Sequence, residues 1–192
     1  MPRFVDVEER RDELTAAAAR LIARAGIGAA TMRDVAAEAG LSTGSLTHYF
    51  ADKRELLLCT FQASLSGRRS LRTARDPDPA VQLRSTLEGA LPVDDDRRRH
   101  WMVTVAFCAQ AAGDDELATA QRDAYREFRD HVTRLVQRCG IADGDEAVPV
   151  AERLITQVDG VAIQALFDPE SWPADRQLAV LDQALGTIHV TD

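Results

Sequence analysis

An all-α protein of about nine helices is what this sequence predicts, and three observations carry that prediction. Apolar residues recur at three- and four-residue spacing through almost the whole chain. Residues that start and stop helices fall at the ends of those runs. No segment sustains period-two alternation with β-branched residues, so no strand is expected. The 192 residues, 45% hydrophobic and 28% charged, suffice for one domain or two small ones with a real core.

The first helix is read from Val7, Leu14, Ala17, Ala18, Leu21, Ile22 and Ala25, with Gly26 offering a left-handed stop. Thr31 stands three residues before Asp34, a cap with its acid, and Gly40 ends that short helix. Ser42 caps a third helix, expected to run through Tyr49. Asp52 and Glu55 repeat the cap-and-acid spacing and open a long helix from Lys53 to about Thr73. Asp76-Pro77-Asp78-Pro79 is the clearest break, and it supplies the next cap and a first-turn proline. Further helices are expected at about 79–89, 95–112, 115–139, 146–167 and 173–187. Asp94, Asp95 and Asp96 stand where acids favour a helix N-terminus.

Charge narrows the function classes once it is divided. The chain carries −8; residues 1–55 hold −1 of this and residues 56–192 hold −7. Basicity therefore gives no argument for nucleic acid, and any such reading must rest on geometry. The longest stretch without Asp, Glu, Lys or Arg is the fourteen residues His100–Gly113, against ~20 for a membrane span. The first eleven residues contain no apolar run, so no secretory signal is expected. Cys59, Cys108 and Cys139 lie far apart without a paired spacing, which reads as reduced thiols in a cytoplasmic protein. His48, His100, His131 and His189 have no metal-ligand spacing, and no phosphate-cradling or nucleophile motif occurs. No metal, cofactor or catalytic residue is expected. Arg97-Arg98-Arg99 and the scattered Arg68, Arg69, Arg72 and Arg75 read as solvated faces.

The informative stretch runs from Thr31 to Lys53, TMRDVAAEAGLSTGSLTHYFADK. Two short helices flank the tight connection Ala39-Gly40-Leu41-Ser42. Val35, Ala36, Ala39, Leu41 and Leu46 fall where the pair must pack on the first helix. That leaves Ser42, Thr43, Gly44 and Ser45 small and polar at the start of the second. A recognition helix needs this composition, because bulky residues there would hold the backbone off the major groove. Hydroxyls and backbone N–H groups also bind phosphate without net charge. Pattern alone leaves two readings: a DNA-reading corner, or a structural one within an all-helical enzyme or interaction protein.

The same residues resemble the N-terminal domain of TetR-family transcriptional regulators. Thr31, Arg33, Val35-Ala36, Gly40-Leu41-Ser42, His48-Tyr49-Phe50 and Lys53 arrive in that family's register. The resemblance covers residues ~10–57 and implies a DNA-binding domain at 1–55. It implies phosphate contacts for Thr31 and Tyr49, with Lys53 adding charge at the start of the fourth helix. Thr43, Gly44 and His48 would face base edges, Arg33 would reach a base or phosphate, and Phe50 would be core. Ser42 and Ser45 complete the DNA-binding set. Where the family usually has Tyr, this chain has Thr47, which shortens or removes one phosphate contact.

The resemblance also implies an effector-binding and dimerisation domain at 56–192. The stretches 101–117 and 158–173 look like the branch that includes choline-responsive BetI regulators. The helix 146–167 carries too wide an apolar stripe for one neighbour to cover. A dimer seam is therefore expected from Leu154, Val158, Val161 and Ala165, joined by Leu178, Leu181 and Leu185 of the last helix. The effector pocket is expected among Trp101, Phe107, Cys108, Tyr125, Phe128 and Gln157. Asp159 reads as an exposed or interface acid, with a counter-ion for a cationic ligand as the alternative. The expected function is a homodimeric repressor, released from a palindromic operator on double-stranded DNA by a small-molecule effector.

Overall fold

The computed structural model describes residues 7–71 and 76–188. Among them lie nine α-helices and one 3-10 turn, and no strand. The helices are α1 (Val7–Ala29), α2 (Met32–Glu38), α3 (Thr43–Leu46), α4 (Lys53–Leu71), α5 (Pro79–Glu88), α6 (Asp95–Ala111), α7 (Asp115–Arg138), α8 (Ala147–Phe167) and α9 (Ala174–Ile188). The expected end of α4 at Thr73, together with Arg72, Arg75 and His189, lies outside the described residues, as do the side chains of Arg68 and Arg69.

Side-chain caps start α2 through α7. Asp34 N–H donates to Thr31 Oγ1 at 3.2 Å and Ser45 N–H to Ser42 Oγ at 3.1 Å. Carboxylates serve the longer ones: Asp52 accepts from Glu55 N–H, Asp78 from Ala80 N–H and Asp94 from Arg97 N–H, each at 2.8 Å. Asp114 accepts from Leu117 N–H at 3.1 Å. Gly26 (φ 76) and Gly40 (φ 69) make the stops, in a left-handed conformation that strains any other residue. At Gly26 the backbone leaves helical geometry altogether, so α1 is two helical segments across a kink.

One helix is shorter than expected. Regular α3 ends at Leu46, not Tyr49. Past that point the chain tightens: His48 N–H reaches Ser45 O and Tyr49 N–H reaches Leu46 O, bonds to the third residue back. The Thr47 hydroxyl donates to Gly44 O at 2.8 Å and helps wind the turn.

The chain divides into two compact units, and their limits are not the 55/56 division expected from sequence. One takes in the chain up to Gly67 together with Met102–Ala120; the other takes in Arg68–Trp101 and Gln121 onward. The first is centred on Leu14, Ile22, Val35, Leu46, Phe50 and Leu56, with Val103 of α6 in the same apolar cluster. Phe61 and Phe107 of the same unit stack with their ring centroids 4.0 Å apart. Arg54 ties α4 to the α7 cap, bonding Asp114 at 2.7 Å and Glu116 at 2.5 Å.

The second unit is centred on Leu83, Leu87, Val132, Leu135, Leu154 and Val158. Here two readings need correction. Leu154, Val158, Val161, Ala165 and Leu181, expected at a seam between copies, are covered within one chain, none more than 6% exposed. Leu178 and Leu185 pack partly buried against the same cluster. The wide stripe of α8 is met by α5, α7 and α9 of its own chain, which consumes the face that periodicity had offered to a partner. Arg98 is likewise no solvated arginine. Its guanidinium donates to Ala165 O at 3.2 Å and Leu166 O at 2.7 Å, closing the carbonyl end of α8.

Candidate nucleic-acid interface

The α2–α3 corner is built from the core outward. Val35, Ala36, Leu46 and Phe50 are buried and hold its inner side. Thr31, Arg33, Ser42, Thr43, Gly44, Thr47 and His48 are exposed, while Ser45, Tyr49 and Lys53 are half-buried. Every residue expected to touch DNA therefore belongs to one unit and one corner of it.

Their hydrogen bonds sort them further. A hydroxyl has a single proton to donate. Thr31 gives its proton to the Asp34 carboxylate, and Thr47 gives its own to Gly44 O. Ser42 and Ser45 share a bond at 2.8 Å. These side chains shape the corner before any phosphate arrives. Lys53 Nζ donates to Ile27 O at 3.1 Å, just past the α1 kink, which leaves two of its three N–H groups.

The surrounding charge is mostly paired off. Glu38 receives Arg24 at 2.9 Å and Arg20 at 3.6 Å. The Arg24 bond holds the Glu38 carboxyl below the usual glutamate range. The Ala51 N–H, and after it Arg11, do the same for Glu55. Arg54 and then the Leu117 N–H lower Asp114. Sequence reasoning treated these arginines as part of a charge total; the contacts between distant elements that engage them were not legible in it.

The residues expected to form an effector pocket are shared between the two units. Phe107 and Cys108 belong to the first unit, and Trp101, Tyr125, Phe128 and Gln157 to the second. Trp101 is buried and donates its indole N–H to Ala90 O at 2.7 Å, so its polar edge is already satisfied. Phe107 is closed in the stack on Phe61, and Phe128 is part of the apolar cluster of the second unit. Tyr125 is 44% exposed and its phenol donates to the Asp159 carboxylate at 3.1 Å. Gln157 is exposed. Among the described residues no group of three metal-ligating side chains converges, and no helix is long and apolar enough to cross a membrane.

Comparison with known proteins agrees with the corner's geometry. Residues 14–59 match the family model described as bacterial regulatory proteins, tetR family. Residues 79–190, more than half of the chain, match the model of the BetI-type transcriptional repressor C-terminal domain. The chain belongs to the TetR family of transcriptional regulators. Among its relatives is the HTH-type transcriptional regulator PksA of Bacillus subtilis (strain 168), 31% identical over 196 residues, covering 100% of this chain and 96% of the relative. A transcriptional regulator from Rhodococcus sp. Rha1 superposes with a TM-score of 0.85 at 28% identity, over 93% of this chain and 95% of that one. A transcriptional regulator from Saccharomonospora viridis, solved in complex with choline, shares the fold with a TM-score of 0.83 at 24% identity, over 93% of this chain and 96% of that one.

Proposed function

We propose that this TetR-family chain is a homodimeric repressor that holds a palindromic operator until a small-molecule effector releases it. In this reading residues 1–55 carry DNA recognition, residues 56–192 carry effector binding and dimerisation, and the protein works in the cytoplasm without a catalytic step. The observation that carries it is the state of the α2–α3 corner. Thr43, Gly44 and His48 stand exposed beside hydroxyls already engaged in caps and turns. Thr43 and His48 read base edges, and Gly44 lets the backbone come close. Phosphate contact falls to Arg33, the remaining N–H groups of Lys53, and the Tyr49 phenol.

The dimer uses the outer face of α8. Pro149, Arg153, Thr156, Gly160, Ile163 and Phe167 are all exposed and recur at alternating four- and three-residue steps, the seam spacing of packed helices. A Cβ built at Gly160 meets nothing within 4 Å in its own chain. A glycine in mid-helix costs about 1 kcal/mol against alanine, and close approach by a second α8 gives it a reason.

The effector is a small organic cation. The BetI-type match of 79–190 and the fold shared with a choline complex support this class. Within the second unit, Tyr125 and Asp159 offer an aromatic face and a carboxylate together. A hundredfold release needs only about 2.7 kcal/mol of differential affinity between the DNA-competent and released states.

Selection from a pool of random duplexes tests the reading. The chain should enrich a two-fold symmetric site with half-sites about one helical turn apart. Millimolar choline should weaken that complex. Enrichment of no sequence removes the regulator reading; enrichment with no response to choline removes only the effector class.

A further inference from the structure

We infer that Arg11, on α1, is a positioning residue for the DNA-reading corner, holding the end of the α3 segment so that Thr43 and His48 keep a fixed aim. The inference rests on the DNA-binding reading above. A helix of one turn cannot hold its own direction, since isolated helices shorter than ~12 residues are marginal in water. The α3 segment must be held at both ends from outside. Its start is tied by the Ser42 cap and its middle by the buried Leu46. Its end is tied by Arg11.

One guanidinium makes four contacts there. It donates to the backbone carbonyl of Tyr49, to Glu55 Oε1 at 3.0 Å and to Cys59 Sγ at 3.2 Å. Its Cζ lies over the Phe50 ring, 4.5 Å from the ring centroid. Glu55 passes the hold back to the same segment, because its second oxygen accepts from Ala51 N–H at 2.8 Å. Tyr49, Phe50 and Ala51 are thus clamped as three consecutive residues, immediately after Thr47 and His48. Three acceptors lying in different directions need the fixed fork of arginine; a lysine ammonium on its flexible stem reaches one or two of them. Arg11 is only half-exposed and its guanidinium is turned to these four contacts, so its effect on recognition runs through the backbone it holds.

The test compares Arg11→Lys and Glu55→Gln with the unaltered full-length chain. The probes are a duplex that the unaltered chain selects from a random pool and a scrambled duplex of the same composition. Arg11→Lys keeps the charge, so binding to the scrambled duplex should stay within about twofold. Affinity for the selected duplex should fall about tenfold, the scale of one misaimed base contact. Glu55→Gln should fall in the same direction by less, and the double variant by less than the product of the two losses. Amide exchange gives a readout without DNA: Phe50 and Ala51 should exchange faster in Arg11→Lys, while Val35 and Leu56 keep their protection. An unchanged ratio of selected to scrambled affinity overturns the positioning role. So does equal loss on both duplexes, or unchanged exchange at Phe50 and Ala51. A chain that selects no duplex defeats the DNA-binding reading instead, and the exchange measurement still decides whether Arg11 holds the segment.

Discussion

The two units of the molecule solve opposite surface problems. In the first, arginines are drawn into ion pairs with Glu38, Glu55 and Asp114, and hydroxyls are drawn into caps, so the exposed corner is small, polar and nearly neutral. In the second lie five of the six large apolar side chains left exposed among the described residues, three of them on α8. Phe167, at 71% exposure, is the extreme case. A surface of the first kind suits a partner recognised by shape and hydrogen bonds; a surface of the second kind suits a partner that removes apolar area from water. The proposed partners divide the same way: DNA on the first unit, a second copy on the second.

The comparison breaks most sharply at Leu181, which sequence reasoning had put on the outer seam. Because it is 3% exposed within the core of the second unit, Leu181→Asp should cost more than about 4 kcal/mol and lose the cooperative melt. A folded monomer would instead return Leu181 to the interface.

Phe167→Asp should do the reverse. It should leave the chain folded while converting a particle of twice 21.0 kDa to one of 21.0 kDa in light scattering. Loss of the second DNA-binding head should then lower operator affinity by about 10²–10⁴-fold. A stable dimer in this variant would take the seam off the outer face of α8.

Within the first unit, Thr43→Ala and His48→Ala should each cost about 1–3 kcal/mol on the selected site and little on scrambled DNA. Losing equally on both duplexes would reduce the corner to a phosphate clamp. Lys53→Ala should weaken both duplexes alike and flatten the salt dependence by about 0.9 per half-site.

The smallest effect is acidic. Glu38, Glu55 and Asp114 are held below their usual range, and all three lie in the first unit. The stability they contribute is present above their unfolded values, near pH 4, and is lost as pH falls through the lower folded ones. Hydrogen exchange between pH 4 and pH 2 should therefore show the first unit opening before the second. Simultaneous opening would mean that these pairs add nothing local.

Much of this was legible in the amino-acid order. Caps at Thr31, Ser42, Asp52, Asp78 and Asp94, and stops at Gly26 and Gly40, act within a few residues, so local chemistry determined where the helices begin and end. The TetR-type corner is local in the same sense: its residues lie within 23 positions of one another, and their register survives in one dimension. Tertiary structure decided the rest. Periodicity shows that α8 has a wide apolar stripe, but which part is covered depends on α5, α7 and α9, whose cluster residues lie as many as 78 positions away. The proposed seam is therefore a remainder, read only after the chain's own helices have packed. Arg11, 38 residues before Tyr49, and Arg98, 67 residues before Ala165, look like ordinary surface charges in sequence. Their roles come from long-range contacts to backbone carbonyls, which every residue carries and no residue type announces.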